Sequence, residues 1–149
     1  MKFRFRLETV MRQRRAERDA AQRVYAEAQA KLQAQLSLIQ QMYSELDNAR
    51  EMSDQKVALP GAKSTDLVQI ADFVEGQKVR IRLAREKARE LMAVAEEKHE
   101  ILIEASQAFR ILEKLKEKKR EEFKIQYNKK QAKEQDDITI MRMAHRGAK

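Results

Sequence analysis

Apolar residues recur along this chain at steps of three and four, the spacing that gathers them on one face of a helix. In the first half they are Leu7, Val10, Ala21, Val24, Ala28, Leu32, Leu36, Ile39, Tyr43 and Leu46. The face is interrupted where the steps fall on Arg14 and Glu17. Between Val24 and Leu36 three four-residue steps follow one another, a departure from the heptad that alters supercoiling. In the second half the row is regular: Leu67, Ile70, Val74, Gln77, Ile81, Ala84, Ala88, Leu91, Ala95, Lys98, Leu102, Ala105, Phe109 and Leu112. Twelve of these 14 positions are apolar, which predicts a coiled-coil seam. Beyond Leu115 the seam lands on Lys119, Phe123 and Gln126, and it fades.

The boundaries follow from the breakers. Lys2, Phe3, Arg4, Phe5 and Arg6 alternate in polarity, and a lone short strand is marginal, so an extended lead into helix one is expected. Pro60–Gly61 marks the one sharp reversal, because proline lacks an amide donor and glycine enters conformations that a helix forbids. Ser64, Thr65 and Asp66 are good residues for starting a helix. The expected architecture is a single all-α unit spanning 1–149: a long antiparallel two-helix coiled-coil hairpin with helix two longer than helix one. Helix one covers about 5–56, the turn 57–64, helix two about 65–135 and a basic C-terminal tail 136–149. Folding at residue 60 pairs position i with roughly 120 minus i, so Leu46 lies beside Val74, Ile39 beside Ile81 and Leu7 near Glu113. Gly76 sits inside helix two, at a cost of about 1 kcal/mol relative to alanine, for close packing or a bend.

Composition agrees with long helices rather than a globular fold. Charged residues make up 38 % of the chain, with 3 glycines, 1 proline and no tryptophan, too few breakers for several chain reversals. There are no cysteines, which removes a disulfide framework and a cysteine-based metal site, and fits a reducing cytoplasm. No run of apolar residues is long enough to span a bilayer. The basic N-terminal stretch lacks the apolar core of a secretory signal.

The net charge of +8 and pI near 9.8 point to an acidic partner. That charge is uneven. Residues 1–23 hold 8 Lys/Arg against 3 acids and residues 110–149 hold 13 against 7, whereas 24–109 hold 11 against 14. A hairpin brings the two basic segments together, with Arg12, Arg14, Arg15 and Arg18 facing Lys114, Lys116, Lys118, Lys119 and Arg120. Their mutual repulsion is modest once screened by salt, and an acidic partner would offset it. Leu38 and Met42 flank the first seam, and Phe73 and Val79 the second, at similar heights. They either widen the seam or form an exposed apolar patch that marks an interaction surface.

Catalytic constellations are absent. His99 and His145 have no HExxH spacing, and no glycine-rich loop cradles phosphate. Glu96, Glu97, Glu100 and Glu104 read as a solvated helix face, and His99 with Glu100 and Glu104 lacks complementary ligands from a second helix. The chain is therefore expected to be no enzyme, with no cofactor, no metal and no small-molecule substrate.

The start Phe5-Arg6-Leu7-Glu8-Thr9-Val10, the charged run Arg12 to Arg18 followed by alanines, and the late Leu112-Glu113-Lys114-Leu115-Lys116-Glu117-Lys118-Lys119-Arg120-Glu121-Glu122-Phe123 resemble the FliJ family of flagellar type III export. The resemblance covers nearly the whole chain, turn included. It implies a cytoplasmic two-helix coiled coil similar in form to the central stalk of rotary ATPases, peripherally associated with the inner face of the cell membrane at the flagellar base. It further implies three partners: the hexameric export ATPase, the export-gate membrane protein and export chaperones. The ATPase contact would fall on the end carrying both termini, which holds Arg4, Arg6, Arg12, Arg14, Arg15, Arg18, Lys114, Lys116, Lys118, Lys119 and Arg120. The export-gate contact would fall on Gln35, Ile39, Met42 and Leu46 opposite Phe73, Gln77, Arg80 and Ala84. The implied function is a non-enzymatic stalk and adaptor in flagellum biogenesis and motility. Two alternatives stay open. One is a basic coiled-coil module for nucleic acid or ribosomes, although the chain lacks a basic-region signature or an aromatic platform. The other is the equivalent stalk of a virulence-type secretion system.

Overall fold

The computed structural model of the chain describes residues 2–61 and 63–147. Met1, Ala62, Ala148 and Lys149 lie outside the described residues, so the expected turn is described without Ala62 and the expected basic tail without its last two residues. Two helices, α1 (Glu8–Ala58) and α2 (Ser64–Gly147), make up the fold, and no strand occurs among the described residues. With 84 residues against 51, α2 is the longer, as the spacing predicts. Ala, Glu, Lys, Arg, Leu and Gln, all good helix formers, fill both elements.

The lead before α1 is extended. Phe3, Phe5 and Leu7 are half-buried while Lys2, Arg4 and Arg6 are exposed, the alternation expected of an extended segment with one covered side. Helix α1 starts at Glu8 rather than near residue 5, because the apolar side chains of the lead are already placed by that alternation. A turn closes it, with the Glu8 N–H donating to the Phe5 carbonyl at 3.1 Å. At the reversal α1 continues to Ala58, and Gly61 takes a left-handed φ of 89°. The Leu67 N–H donates to the Lys63 carbonyl at 3.3 Å, and α2 begins at Ser64, one of the three expected start residues.

All fourteen expected seam positions of α2 are buried or half-buried. The seam of α1 is different from the expected row. It runs Leu7, Met11, Arg14, Arg18, Ala21, Tyr25, Ala28, Leu32, Gln35, Ile39, Met42, Leu46 and Ala49, alternating steps of four and three without interruption. Val10, Val24, Leu36 and Tyr43 are 37–43 % exposed, and the three successive four-residue steps do not occur. The reason is the partner. A row stepping by four drifts around the helix, whereas α2 offers a strict heptad, and only a row of the same period stays against it.

The expected end of α2 near residue 135 is also corrected, since the helix runs to Gly147. No proline or glycine interrupts 77–146, and Thr139 Oγ1 donates back to the Gln135 carbonyl at 2.9 Å, which is compatible with a helix. From Lys124 onward every described residue is exposed.

The chain divides into two compact units: Asp19–Ile103, the turn unit, and Met1–Arg18 with Glu104–Lys149, the terminal unit. Within the turn unit the helices are antiparallel. Gln35 meets Ala84, Met42 meets Gln77, and Lys56 lies 3.5 Å from Asp66. These pairs fall within one or two residues of the expected register. Within the terminal unit Phe3 meets Phe123, Glu8 meets Lys116 and Arg15 meets Phe109, again antiparallel. Here Glu8 finds its partner four residues beyond the expected position, one helical turn, within reach of a long lysine side chain.

The two interior glycines answer opposite questions. Gly61 holds a conformation that costs an L-residue about 1–2 kcal/mol. At Gly76 the nearest atoms to an added Cβ belong to the Arg80 guanidinium, at 3.1 Å, and none of the three nearest comes from α1. At Gly76 the close neighbour is thus a flexible side chain of the same helix and not α1, and α2 continues through it. Gly61→Ala should lower stability by about 1 kcal/mol. Gly76→Ala should raise it by about 0.5–1 kcal/mol through helix propensity. Urea titrations followed by ellipticity read both, and equal signs would contradict this account.

Candidate functional site

In the terminal unit, folding uses part of the basic set. Glu8 opens α1, where a carboxylate also favours the helix dipole. Its carboxylate lies 2.9 Å from Lys116 Nζ. That hydrogen bond first, helped by the fields of Lys116, Arg12 and Arg15, holds the Glu8 pKa below the ordinary glutamate value against an opposing effect of desolvation. Phe109 is only 4 % exposed because the guanidinium groups of Arg15 and Arg18 sit over its ring, 5.2 and 4.6 Å from the centroid. Arg14 pairs with Glu17 at 3.0 Å and Lys119 with Glu122 at 3.5 Å. Arg120 stands 5.8 Å from the Phe3 centroid, and Phe3 packs on Phe123 at 5.6 Å.

The eleven expected cations therefore divide. Arg14, Arg15, Arg18, Lys116, Lys119 and Arg120 are engaged within the chain. Arg4, Arg6, Arg12, Lys114 and Lys118 are exposed and make no ion pair among the described residues. The repulsion anticipated between the two basic segments is met in part by Glu8 and by aromatic faces, whose quadrupoles attract cations. A groove of about 750 Å³ beside the lead is lined by Phe3, Phe5, Leu7, Leu115 and Phe123 with Lys2, Arg4, Arg6 and Lys119 around it.

In the turn unit the seam carries two buried amides. Gln77, 2 % exposed, donates from Nε2 to the Met42 carbonyl at 2.9 Å and to Glu45 Oε2 at 3.1 Å. Its Oε1 accepts from Arg80 Nε at 3.0 Å. Gln35, 7 % exposed, donates to the Ala84 carbonyl at 2.9 Å. The bonds are reciprocal, from α1 to the α2 backbone and from α2 to the α1 backbone. They satisfy polar groups that would otherwise be costly to bury.

This changes how the eight expected export-gate positions stand. Gln35, Leu46, Gln77 and Ala84 are buried between the helices, out of reach of a partner while the hairpin is closed. Ile39 and Met42 are half-buried, and Phe73 and Arg80 are exposed. The Arg80 guanidinium lies 5.5 Å from the Phe73 centroid. Of the expected apolar surplus, Met42 belongs to the seam, while Leu38, Phe73 and Val79 are 40–46 % exposed. A largely apolar groove of about 380 Å³ gathers Phe73 with Ile70 of the expected seam and with Ala49 and Met52, which the sequence pattern did not single out.

Among the described residues no group of three His, Cys, Asp or Glu is placed to hold a metal ion, and no helix is long and apolar enough to cross a membrane. His99 packs on Tyr25, ring centroids 5.0 Å apart.

The model of one protein family, described as Flagellar FliJ protein, matches residues 2–148. No curated protein and no solved structure matches the chain. The match spans nearly the whole sequence, so the chain belongs to the FliJ family, whose members are non-enzymatic components of flagellar type III export.

Two measurements test the contacts. Because its folded pKa is depressed, ionised Glu8 stabilises the terminal unit above the ordinary glutamate range of about 4–5, and that contribution is lost as the pH falls below it. Glu8→Gln should therefore melt below the parent at neutral pH, with the gap closing toward pH 3; a gap that persists in acid would contradict the assignment. Gln77→Ala should cost about 1–3 kcal/mol, by removing bonds across the seam and leaving space there. A chemical denaturation midpoint equal to the parent's would show that the buried amide contributes nothing.

Proposed function

We propose, taking membership of the FliJ family as the premise, that the chain is a stalk and adaptor of the flagellar export apparatus. In this reading the terminal unit binds the hexameric export ATPase. The turn unit binds the export-gate membrane protein, and export chaperones are further partners. The protein works in the cytoplasm, at the inner face of the membrane beneath the flagellum.

The observation that carries the reading is the set of cations that folding leaves over in the terminal unit. Arg4, Arg6 and Arg12 from the start of the chain, and Lys114 and Lys118 from α2, are exposed without an ion-pair partner among the described residues. Their neighbours Arg15, Arg18 and Lys116 fix the backbone that presents them. On the turn unit, Phe73 and Arg80 with half-buried Ile39 and Met42 are the gate-facing candidates. Gln35, Leu46, Gln77 and Ala84 act by holding the two helices in register.

Arg15 and Arg18 are poor probes, because replacing them would uncover Phe109. The triple variant Arg4→Glu, Arg12→Glu, Lys118→Glu should keep the helix content of the parent and lose co-purification with the hexameric ATPase. Undiminished co-purification would sink the ATPase assignment. Phe73→Asp should instead weaken gate binding and leave the ATPase contact intact. Retention of random duplex DNA by the parent at physiological salt, lost in the triple variant, would favour the nucleic-acid reading.

A further inference from the structure

Summed over the chain, residues 24–109 are net acidic, yet folding gathers cations of this stretch along one flank of the turn unit. A groove of about 540 Å³ there is bordered by Arg50 from α1 and by Arg82, Arg85 and Arg89 from α2. None of these four arginines makes an ion pair or hydrogen bond among the described residues, whereas neighbouring Lys78 is held by Glu75 at 3.0 Å. Glu86 is the single acid in the lining. Tyr43, 40 % exposed, stands at the side, and Ile81, 5 % exposed, contributes to the floor.

We infer that this flank is a docking surface for an acidic amphipathic helix of a partner protein. The charge argument comes first. Four guanidinium groups around one groove with a single carboxylate repel one another, and an acidic ligand removes that repulsion. Arginine adds geometry, because its planar fork meets a carboxylate through two parallel bonds and sheds water more readily than an ammonium. Spacing is the second argument. Arg82, Arg85 and Arg89 follow one another at steps of three and four, so they form one line about 10 Å long parallel to the seam. A helix laid along the groove with Asp or Glu at the same steps presents its carboxylates at the same intervals. The third argument is the apolar part of the lining. Ile81 and the Tyr43 ring suit the apolar border of an amphipathic helix. Single-stranded nucleic acid instead needs several aromatic rings to stack successive bases, and only Tyr43 is present. This flank shares no lining residue with the groove that holds Phe73, and of the expected export-gate positions it includes only buried Leu46, so its occupant is additional to the gate contact proposed above.

The test uses the full chain and fluorescence anisotropy at about 0.15 M salt, where long-range attraction between exposed charges is screened. The probe is a labelled peptide about three heptads long, with glutamates at alternating steps of three and four beside a leucine stripe. A scramble of the same composition is the control. The peptide is expected to bind, and Arg82→Ala, Arg85→Ala, Arg89→Ala together to weaken it by about tenfold or more. Alanine keeps the helix, so ellipticity should be unchanged in that variant. Arg12→Ala with Lys118→Ala in the terminal unit should leave the affinity within about twofold, which separates this surface from the ATPase reading. Equal binding of the scramble, unchanged affinity in the groove variant, or tighter binding of a thymidine oligonucleotide through the same arginines would each overturn the proposal.

Discussion

Two helices have only one mutual surface to bury, and both must present it at the same period. That constraint shapes the molecule. Once α2 offers apolar or small residues at alternating steps of three and four from Leu67 to Leu112, α1 has to follow, even where following puts Arg14, Arg18 and Gln35 toward the partner and leaves Val24 and Leu36 in water. The buried core is thin and rich in alanine: Ala28, Ala49, Ala84, Ala88 and Ala95 stand beside Met11, Leu46, Ile81 and Phe109. An alanine methyl contributes only about 0.8 kcal/mol on burial, but small side chains let the backbones approach. Close approach is what allows Gln35 and Gln77 to reach carbonyls on the opposite helix. Such polar seam positions cost stability in general and in return favour one register over its neighbours, because a slipped seam leaves their amides without acceptors.

The second helix was legible in the sequence because one strict alternation of three- and four-residue steps threads Leu67 to Leu112, even though exposed Val68, Met92, Ile101, Ile103 and Ile111 adjoin seam positions. The first was legible only in part: Leu7, Ala21, Ala28, Leu32, Ile39 and Leu46 stand in the expected row, but elsewhere an apolar residue next to the true seam position drew the row aside. Val10 adjoins Met11, Val24 adjoins Tyr25 and Tyr43 adjoins Met42, and at Leu36 the neighbour that is buried is the polar Gln35. Picking the more apolar residue at each step gives a row that drifts. The period of the partner decides among them, and that information lies far along the chain. The far end of α2 was misread for a local reason. Asp136, Asp137 and Thr139 weaken a helix without ending it, and no proline or glycine follows until Gly147.

The candidate surfaces were legible as composition and not as contacts. That the chain's two ends are basic is a matter of counting. Which cations are used inside the fold depends on where an aromatic ring or a carboxylate arrives from the other helix. Phe109 takes Arg15 and Arg18, Glu8 takes Lys116, and Phe3 takes Arg120. The arginines of the turn unit were hidden by the opposite effect. A segment average mixes Arg82, Arg85 and Arg89 with glutamates on other faces of the same helix, and the average is acidic while one flank is strongly basic.

Residues that face a partner are those that folding leaves over, so a charge or an apolar side chain becomes informative only after its contacts within the chain are subtracted. Subtraction reverses some first impressions. Arg15 and Arg18, prominent in a basic run, cover a core phenylalanine, and Gln77 locks the seam instead of facing outward. It also promotes residues that no pattern marks, such as Met52 beside Phe73 and Arg50 beside Arg85. In a chain with one seam the remainder is large, because most of each helix faces water. A large remainder is what a protein needs if it works by holding other proteins, and its cost is a core too thin to tolerate the loss of a seam contact such as the Gln77 amide.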